Sequence, residues 1–344
     1  MQQKIIKNKW SRGDLTYLEK CPSCGQNIDY APIYKRHDDE NLMPDEWNIY
    51  NCIHCRSFFV NPRPSANSLP ALYQDYLTHK PIKPESVFTG ESLLWKLIRG
   101  FLSKRLGIKF DKKYLNIGYF LFMLVPAFRY KLDRFGRNLT LKNFNKKGRL
   151  LDLGCGAGDF LDIATQMGWD AYGCDFDPIV IKNCKDKGLN VRIGGLEAYS
   201  DLEKFDVITM NHVIEHVVDP QKIVKECYQA LNNNGCLWIG TPNPNARGAK
   251  VFGAAWAGLH PPYHLCIPSQ SELVQWLSDA GFCEIKILQR GVHAKFNWVE
   301  SFKLFSTHKE VNFKFVRPKY IMADLINIFT PKNGEETVII GFKK

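Results

Sequence analysis

The chain has 344 residues, 45% of them hydrophobic, which suits one large domain plus a smaller one and excludes a mainly disordered state. Its 11 cysteines, an odd number with two close pairs, exclude a disulfide framework and point to a reduced cytoplasm with one metal site. The net charge of +11 is uneven: residues 96–149 hold 15 Lys/Arg against Asp111 and Asp133, so that block carries +13 and points to an anionic partner. A nucleic acid, a membrane surface and a phosphorylated substrate all fit such a block.

The N-terminus, Met-Gln-Gln-Lys, leads into polar and charged residues, which predicts no signal peptide. Residues 1–75 read as a small module built on Cys21-Pro-Ser-Cys24 and Cys52-Ile-His-Cys55, with 27 residues between the pairs. Each pair can give two thiolates to one tetrahedral zinc, so Cys21, Cys24, Cys52 and Cys55 are the expected ligands of a structural Zn2+. Pro22 and Gly25 make a tight knuckle turn in the first pair, whereas the second has Arg56 where the first has Gly25. Phe58–Pro64 reads as a short strand stopped by prolines.

Residues 76–147 are basic and aromatic, with helical spacing in Leu93, Leu94, Leu97, Ile98 and Leu102. The apolar run Tyr114–Phe128 is 15 residues long, short of the roughly 20 that cross a bilayer. It reads as a helical cap over the cleft with a basic rim, or as a patch resting on anionic lipid. From residue 148 strands and helices alternate. Strands are expected at Arg149–Leu153, Ala171–Cys174, Asn190–Ile193, Phe205–Met210 and Cys236–Gly240. Helices are expected at Asp159–Met167, from Pro178, at Pro220–Leu231 and at Ser269–Gly281. Cys283–Gln289 and Glu336–Phe342 read as late strands paired near the sheet edge. This alternation implies an α/β fold with a parallel, doubly wound, Rossmann-like sheet.

Gly154, Gly156 and Gly158 fall between an apolar strand and a helix, where glycine lets the backbone turn and approach a ligand. Asp175 follows Gly156 by 19 residues, the spacing of an acid that bonds ribose hydroxyls. Dinucleotides and S-adenosylmethionine (SAM) share this outline. A dinucleotide site wants glycine at 159. Asp159 would repel a pyrophosphate there but suits a methionine ammonium, and Asp152 offers a further carboxylate.

Over residues 146–290 the chain resembles the class I SAM-dependent methyltransferases. The resemblance implies a seven-stranded sheet with one antiparallel strand near its edge. It implies that Gly154, Gly156 and Gly158 line the methionine part of SAM and that Asp175 holds the ribose. Phe176, Leu196 and Glu197 would flank the adenine, and Asn211 and His212 would end the fourth strand beside the methyl group. Gly194-Gly195-Leu196-Glu197 departs from the Gly-Asp that many members carry, so adenine recognition is expected through backbone groups.

In His212-Val-Ile-Glu215-His216, the residues His212, Glu215 and His216 would share one face of a helix. Some methyltransferases with Glu-x-x-Glu-His here bind a divalent metal, and His260 or His264 could supply a later ligand. The preferred reading makes His216 structural and His212 or His264 the general base for a hydroxyl acceptor. The cysteine ribbon, the Phe-Val-Asn-Pro-Arg-Pro run and Pro261-Pro-Tyr-His-Leu together look like a bacterial group often encoded with surface-polysaccharide genes. That likeness implies a nucleotide- or lipid-linked sugar of a glycan precursor as acceptor. The cysteine pattern suits a cytoplasmic enzyme, and the basic, apolar block at 96–149 suits peripheral membrane contact. Two alternatives stay open: a metal-dependent RNA methyltransferase, and a non-catalytic SAM- or zinc-binding module. Residues 291–333 match nothing and read as an insertion before the last strand.

Overall fold

A computed structural model describes residues 9–39, 42–73, 90–144, 147–306 and 313–344. The N-terminal Met-Gln-Gln-Lys and the expected boundary at 75/76 lie outside the described residues. The N-terminal strands are β1 (Lys9–Trp10), β2 (Gly13–Thr16), β3 (Tyr34–His37), β4 (Glu46–Asn51), β5 (Phe58–Val60) and β6 (Arg63–Pro64), followed by the short helix α1 (Leu69–Leu72). Three helices follow: α2 (Leu93–Leu106), α3 (Ile117–Met123) and α4 (Pro126–Asp133). The alternating part runs β7 (Arg149–Leu153), α5 (Asp159–Gln166), β8 (Asp170–Asp175), α6 (Pro178–Asp186), β9 (Asn190–Ile193), β10 (Phe205–Asn211), α7 (Pro220–Ala230) and β11 (Leu231–Pro242). Then come α8 (Arg247–Phe252), β12 (Cys266–Ile267), α9 (Gln270–Ala280), β13 (Cys283–Leu288), α10 (Ala294–Phe305), α11 (Phe313–Phe329) and β14 (Glu336–Phe342).

The central sheet has seven strands in the order β13-β14-β11-β10-β7-β8-β9. β7 to β11 are parallel, and β14 lies antiparallel between β11 and β13. The two late strands thus pair as expected, with β13 at the edge. β11 begins five residues earlier than the sequence suggests, because Leu231 pairs with Phe205 across a register shift. Helix ends follow local chemistry. Asp177, Asp219 and Ser269 each accept a backbone N–H as N-cap, the first two ahead of a proline at the first helical position. Gly281 closes α9 in the left-handed region.

Successive residues of each strand point to opposite faces. Leu150, Val207 and Trp238 enter one apolar cluster; Leu151, Ile208, Leu237 and Ile239 enter the other. α7 and α9 cover the second face with Val224, Cys227, Leu273 and Leu277. The first face is covered by α5, α6 and, beyond expectation, by the segment read as a cap. Phe101, Leu102, Leu106 and Leu139 are fully buried against Leu150 and Trp238. The 96–149 block therefore belongs to the core as well as to the rim of the cleft.

The cysteine module is fused to the same body. β12, from the far end of the chain, pairs with β5 and completes the sheet β12-β5-β4-β3. Ile49 and Phe58 share an apolar cluster with Trp256, Ala294 and Trp298.

Candidate active site

At the C-terminal end of β7 the chain turns through Gly154, Gly156 and Gly158 at φ +65°, +51° and +81°. A Cβ at Gly154 would meet Val213 and one at Gly158 would meet Leu189, so both glycines serve packing. A Cβ at Gly156 would meet nothing within 4 Å, so this glycine keeps open space beside the loop. Gly156 N–H donates to Asp175 Oδ2 at 3.1 Å, and Asp177 N–H to Oδ1 at 3.0 Å. Burial holds the Asp175 carboxyl above its ordinary pKa despite those bonds. Next to it Phe176 stands exposed, its ring near Gly195, whose N–H donates to Glu197 at 2.7 Å. Leu196 opens the adjoining 3-10 turn. The expected cofactor residues thus run along the C-terminal ends of β7, β8 and β9.

Asp152 departs from expectation. It is fully buried, and both its oxygens bond Arg137, whose Nη2 lies 3.1 Å from Oδ2. Thr209 Oγ1 donates to it at 2.9 Å. A carboxylate so enclosed cannot also reach a ligand; it positions Arg137 instead. Arg137 sits at φ +46°, stacked 3.8 Å from the Phe160 ring centroid.

The glycine loop forms one wall of a cleft of about 870 Å³. The other walls include Lys131, Arg134 and Phe135 from α4 and the turn after it, Asn211 from β10, and Arg290, His293, Lys295 and Phe296 around the start of α10. Five cationic side chains line this space against Asp159 and Glu300. Asn211 lies in the cleft as expected, with its Oδ1 accepting from Arg134. Burial lowers the Arg134 pKa to about 9, and its Nε has no partner among the described residues. His293 Nδ1 donates to the Gly291 carbonyl at 2.8 Å, while its buried Nε2 has no partner among the described residues. Burial lowers the His293 pKa to about 4, so the ring is neutral at pH 7. Sequence reasoning had Asn211, and it saw Lys131, Arg134 and Arg137 only as the basic flank of Tyr114–Phe128, which could rest on lipid or grip a phosphorylated substrate. It missed Arg290, His293 and Lys295, which carry no motif.

The expected catalytic histidines sit elsewhere. His212 is not helical: it has φ +54° and precedes a 3-10 turn at Ile214–His216. Its Nδ1 meets Glu215 at 3.1 Å and its Nε2 meets Glu336 at 3.2 Å. Burial alone would lower its pKa, but the two carboxylates override that and lift it to about 9. An imidazolium with both nitrogens engaged donates protons and cannot act as the base. Glu215 is fully buried and accepts from Thr241; burial would raise its pKa, but the bond from His212 and the charges of the surrounding histidines override that and lower it to about 2. His264 Nδ1 donates to the Gly258 carbonyl at 2.8 Å, its Nε2 is 3.9 Å from Glu215, and burial drives its pKa to about 3. His216 bonds the Tyr73 hydroxyl at 3.1 Å. None of the three lines the cleft, so His264 and His216 brace Glu215 from behind rather than meet an acceptor. Ligand atoms of Glu215, His216 and His264 lie within 4.8 Å of one another, a spacing that admits a divalent cation.

In the N-terminal module the four expected thiols converge. Cys21 and Cys55 Sγ are 3.9 Å apart, Cys24 and Cys52 Sγ 3.7 Å, and all four lie within 4.8 Å. A tetrahedral zinc with Zn–S near 2.3 Å needs sulfurs about 3.8 Å apart, so the donor set fits. The knuckles match each other: Gly25 N–H donates to the Cys21 carbonyl and Arg56 N–H to the Cys52 carbonyl, at φ +74° and +65°. Ser23, inside the first knuckle, accepts from Gln221 and Trp276 through its carbonyl, tying the cluster to α7 and α9.

Residues 127–286 match the family model described as a methyltransferase domain. The chain carries a methyltransferase domain. The match runs from α4 into β13, so the cysteine module and α10–α11 lie outside it. A ubiquinone biosynthesis O-methyltransferase of Coxiella burnetii is 29% identical over 178 residues, covering 47% of this chain and 73% of the relative. One of the same name from Glaesserella parasuis is 30% identical over 159 residues, covering 40% and 66%. A solved SAM-dependent methyltransferase from Archaeoglobus fulgidus is 24% identical with a TM-score of 0.44, covering 65% of this chain and 100% of that one. The glycine loop lines the same cleft as Lys131, Arg134, Arg290 and Lys295.

Proposed function

We propose that this methyltransferase methylates a hydroxyl of a phosphorylated acceptor, in the first instance a nucleotide- or lipid-linked sugar of a surface-glycan precursor. The cationic wall carries the proposal. Lys131, Arg134, Arg290 and Lys295 share one cleft with the glycine loop; Arg137 is left out of the count because Asp152 neutralises it, and Glu336, shared by Arg134 and Arg290, offsets part of their charge. The positive charge left over on Lys131, Lys295 and the two arginines suits an anionic group, and a diphosphate offers geometry that arginine matches well.

SAM, when bound, supplies an electrophilic methyl group. The acceptor oxygen attacks that carbon, the C–S bond breaks, and S-adenosylhomocysteine leaves. The hydroxyl proton goes to His293 Nε2, whose lone pair is kept free because Nδ1–H is spent on Gly291. Positioning by the cationic wall supplies most of the rate. Cys21, Cys24, Cys52 and Cys55 hold a structural Zn2+ in this reading, which suits a cytoplasmic enzyme whose thiols stay reduced. Metal analysis should find about one zinc per chain; a second equivalent would place an ion on Glu215, His216 and His264.

Mass spectrometry of the surface glycan with and without the gene tests the acceptor. Loss of one methyl group is the expected result, and an unchanged glycan would overturn the assignment. A second reading takes an apolar, ring-bearing acceptor of the ubiquinone type, favoured by the relatives' names and by Phe135, Phe160 and Phe296 in the cleft wall.

A further inference from the structure

We infer that the outer face of α3 and the turn into α4 docks on an anionic bilayer surface and holds the mouth of the cleft against it. α3 is fastened on one side only. A Cβ at Gly118 would sit 2.0 Å from the Leu97 carbonyl oxygen, so α2 and α3 touch backbone to backbone. Phe122 packs edge-on against Phe101, with 5.9 Å between ring centroids. The opposite side carries Ile117, Phe120, Leu121, Leu124, Val125 and Phe128, all exposed, with Leu124 at 79% and Phe120 at 59%. Isolated exposed apolar residues are ordinary, but a run of this length on one short helix and its exit turn is not.

The surroundings of the patch decide what covers it. Lys104 lies over the Phe120 ring, 5.2 Å from its centroid. Lys109, Lys113 and Lys131 are exposed nearby in the chain, within a block of 15 Lys/Arg and two acids. An exposed apolar face with Lys104 lying over its Phe120 ring and exposed lysines adjoining it in the chain matches the acyl–headgroup boundary of an anionic leaflet, where apolar burial and charge attraction act together. A second copy of the same patch would set lysine against lysine. No helix among the described residues is long and apolar enough to cross a membrane, so contact through this face is peripheral.

The patch is continuous with the cleft. α4 follows α3 directly, its Lys131 lines the cleft, and so does Phe296 of α10, itself 73% exposed. α11, which packs on both α10 and α4, adds the exposed stripe Ile321, Met322, Leu325 and Phe329. Docking therefore does not depend on which acceptor is used, but it brings the cleft mouth to a surface where a lipid-linked acceptor would be presented.

Vesicle co-sedimentation of the full chain tests this, with phosphatidylcholine vesicles and with vesicles that also contain phosphatidylglycerol. The wild type should sediment with the second kind and little with the first. The double variant Phe120→Gln/Leu124→Gln should lose about tenfold or more in partitioning, and Lys104→Gln/Lys113→Gln should lose a similar amount with a weaker salt dependence. SAM binding measured on each variant reports that it is folded. Sedimentation with neither vesicle overturns the inference. So does unchanged sedimentation of Phe120→Gln/Leu124→Gln. Light scattering that finds a wild-type dimer, made monomeric by that variant and indifferent to lipid, would assign the face to a second copy and also overturn it.

Discussion

Replacing Gly156 with alanine separates ligand contact from fold strain within a single loop. Gly154 and Gly156 both lie at positive φ, so alanine costs each about 1 kcal/mol of backbone strain. At Gly154 the new methyl would also stand 2.5 Å from Val213 Cγ2, and overpacking adds roughly 1–3 kcal/mol. At Gly156 it meets nothing within 4 Å and projects into open space beside the cleft. Gly156→Ala should therefore melt about 2 °C below wild type, while Gly154→Ala melts clearly lower. The order reverses for SAM: a methyl group in the ligand's space should cost Gly156→Ala about 2 kcal/mol, roughly 30-fold in Kd. Calorimetry with SAM and differential scanning of both variants give the two readings. Wild-type SAM affinity in Gly156→Ala, or a larger thermal loss there than in Gly154→Ala, would refute the placement of SAM on this loop.

Arg56→Gly should stabilise the protein by about 1 kcal/mol, because Arg56 holds a left-handed conformation that its twin Gly25 adopts without strain; a lower melting midpoint would contradict the knuckle geometry. His293→Gln should lower kcat by about 10²-fold or more with SAM affinity intact. His264→Ala should lower the melting midpoint and leave the pH dependence of kcat unchanged. A reversed pattern would return the base to His264. Stability should fall on both sides of neutrality. His264 and His293 have pKa values pushed down to about 3 and about 4, so the unfolded chain takes up protons first and stability is lost as pH falls below about 6.5. His212 is raised to about 9, so its contribution is full below about 6.5 and is lost as pH rises through 9. Melting curves from pH 5 to 10 check this, and a midpoint that rises steadily with pH would contradict it.

The cofactor side was legible because its chemistry is local. Gly154, Gly156 and Gly158 turn within five residues, and Asp175 is reached by one strand–helix–strand unit of conventional length. The cysteine cluster was legible for the same reason, although Arg56 hid the symmetry of its knuckles behind a residue that seldom takes positive φ. The acceptor side was not, because it is assembled from distant segments. Apart from Asn211, which the sequence placed there, Arg134 and Arg137 come from before the sheet and Arg290 and His293 from beyond the matched domain. No spacing rule joins them. The histidine motif misled because His-x-x-Glu-His at helical spacing says nothing of Glu336, which arrives 124 residues after His212 and takes its second nitrogen. The apolar run at Tyr114–Phe128 showed its composition but not its sidedness. Gly118 decides that, by pressing α3 onto α2 along one face and leaving the other bare.

The most direct measurement is transfer of labelled methyl from SAM to diphosphate-linked sugars and to the same sugars stripped of phosphate, with wild type and Arg290→Gln. The account predicts that kcat/KM with the phosphorylated acceptor exceeds that with the stripped one by two or more orders of magnitude, about 3 kcal/mol or more, and that Arg290→Gln removes much of the difference. Equal kcat/KM for the two acceptors would contradict it.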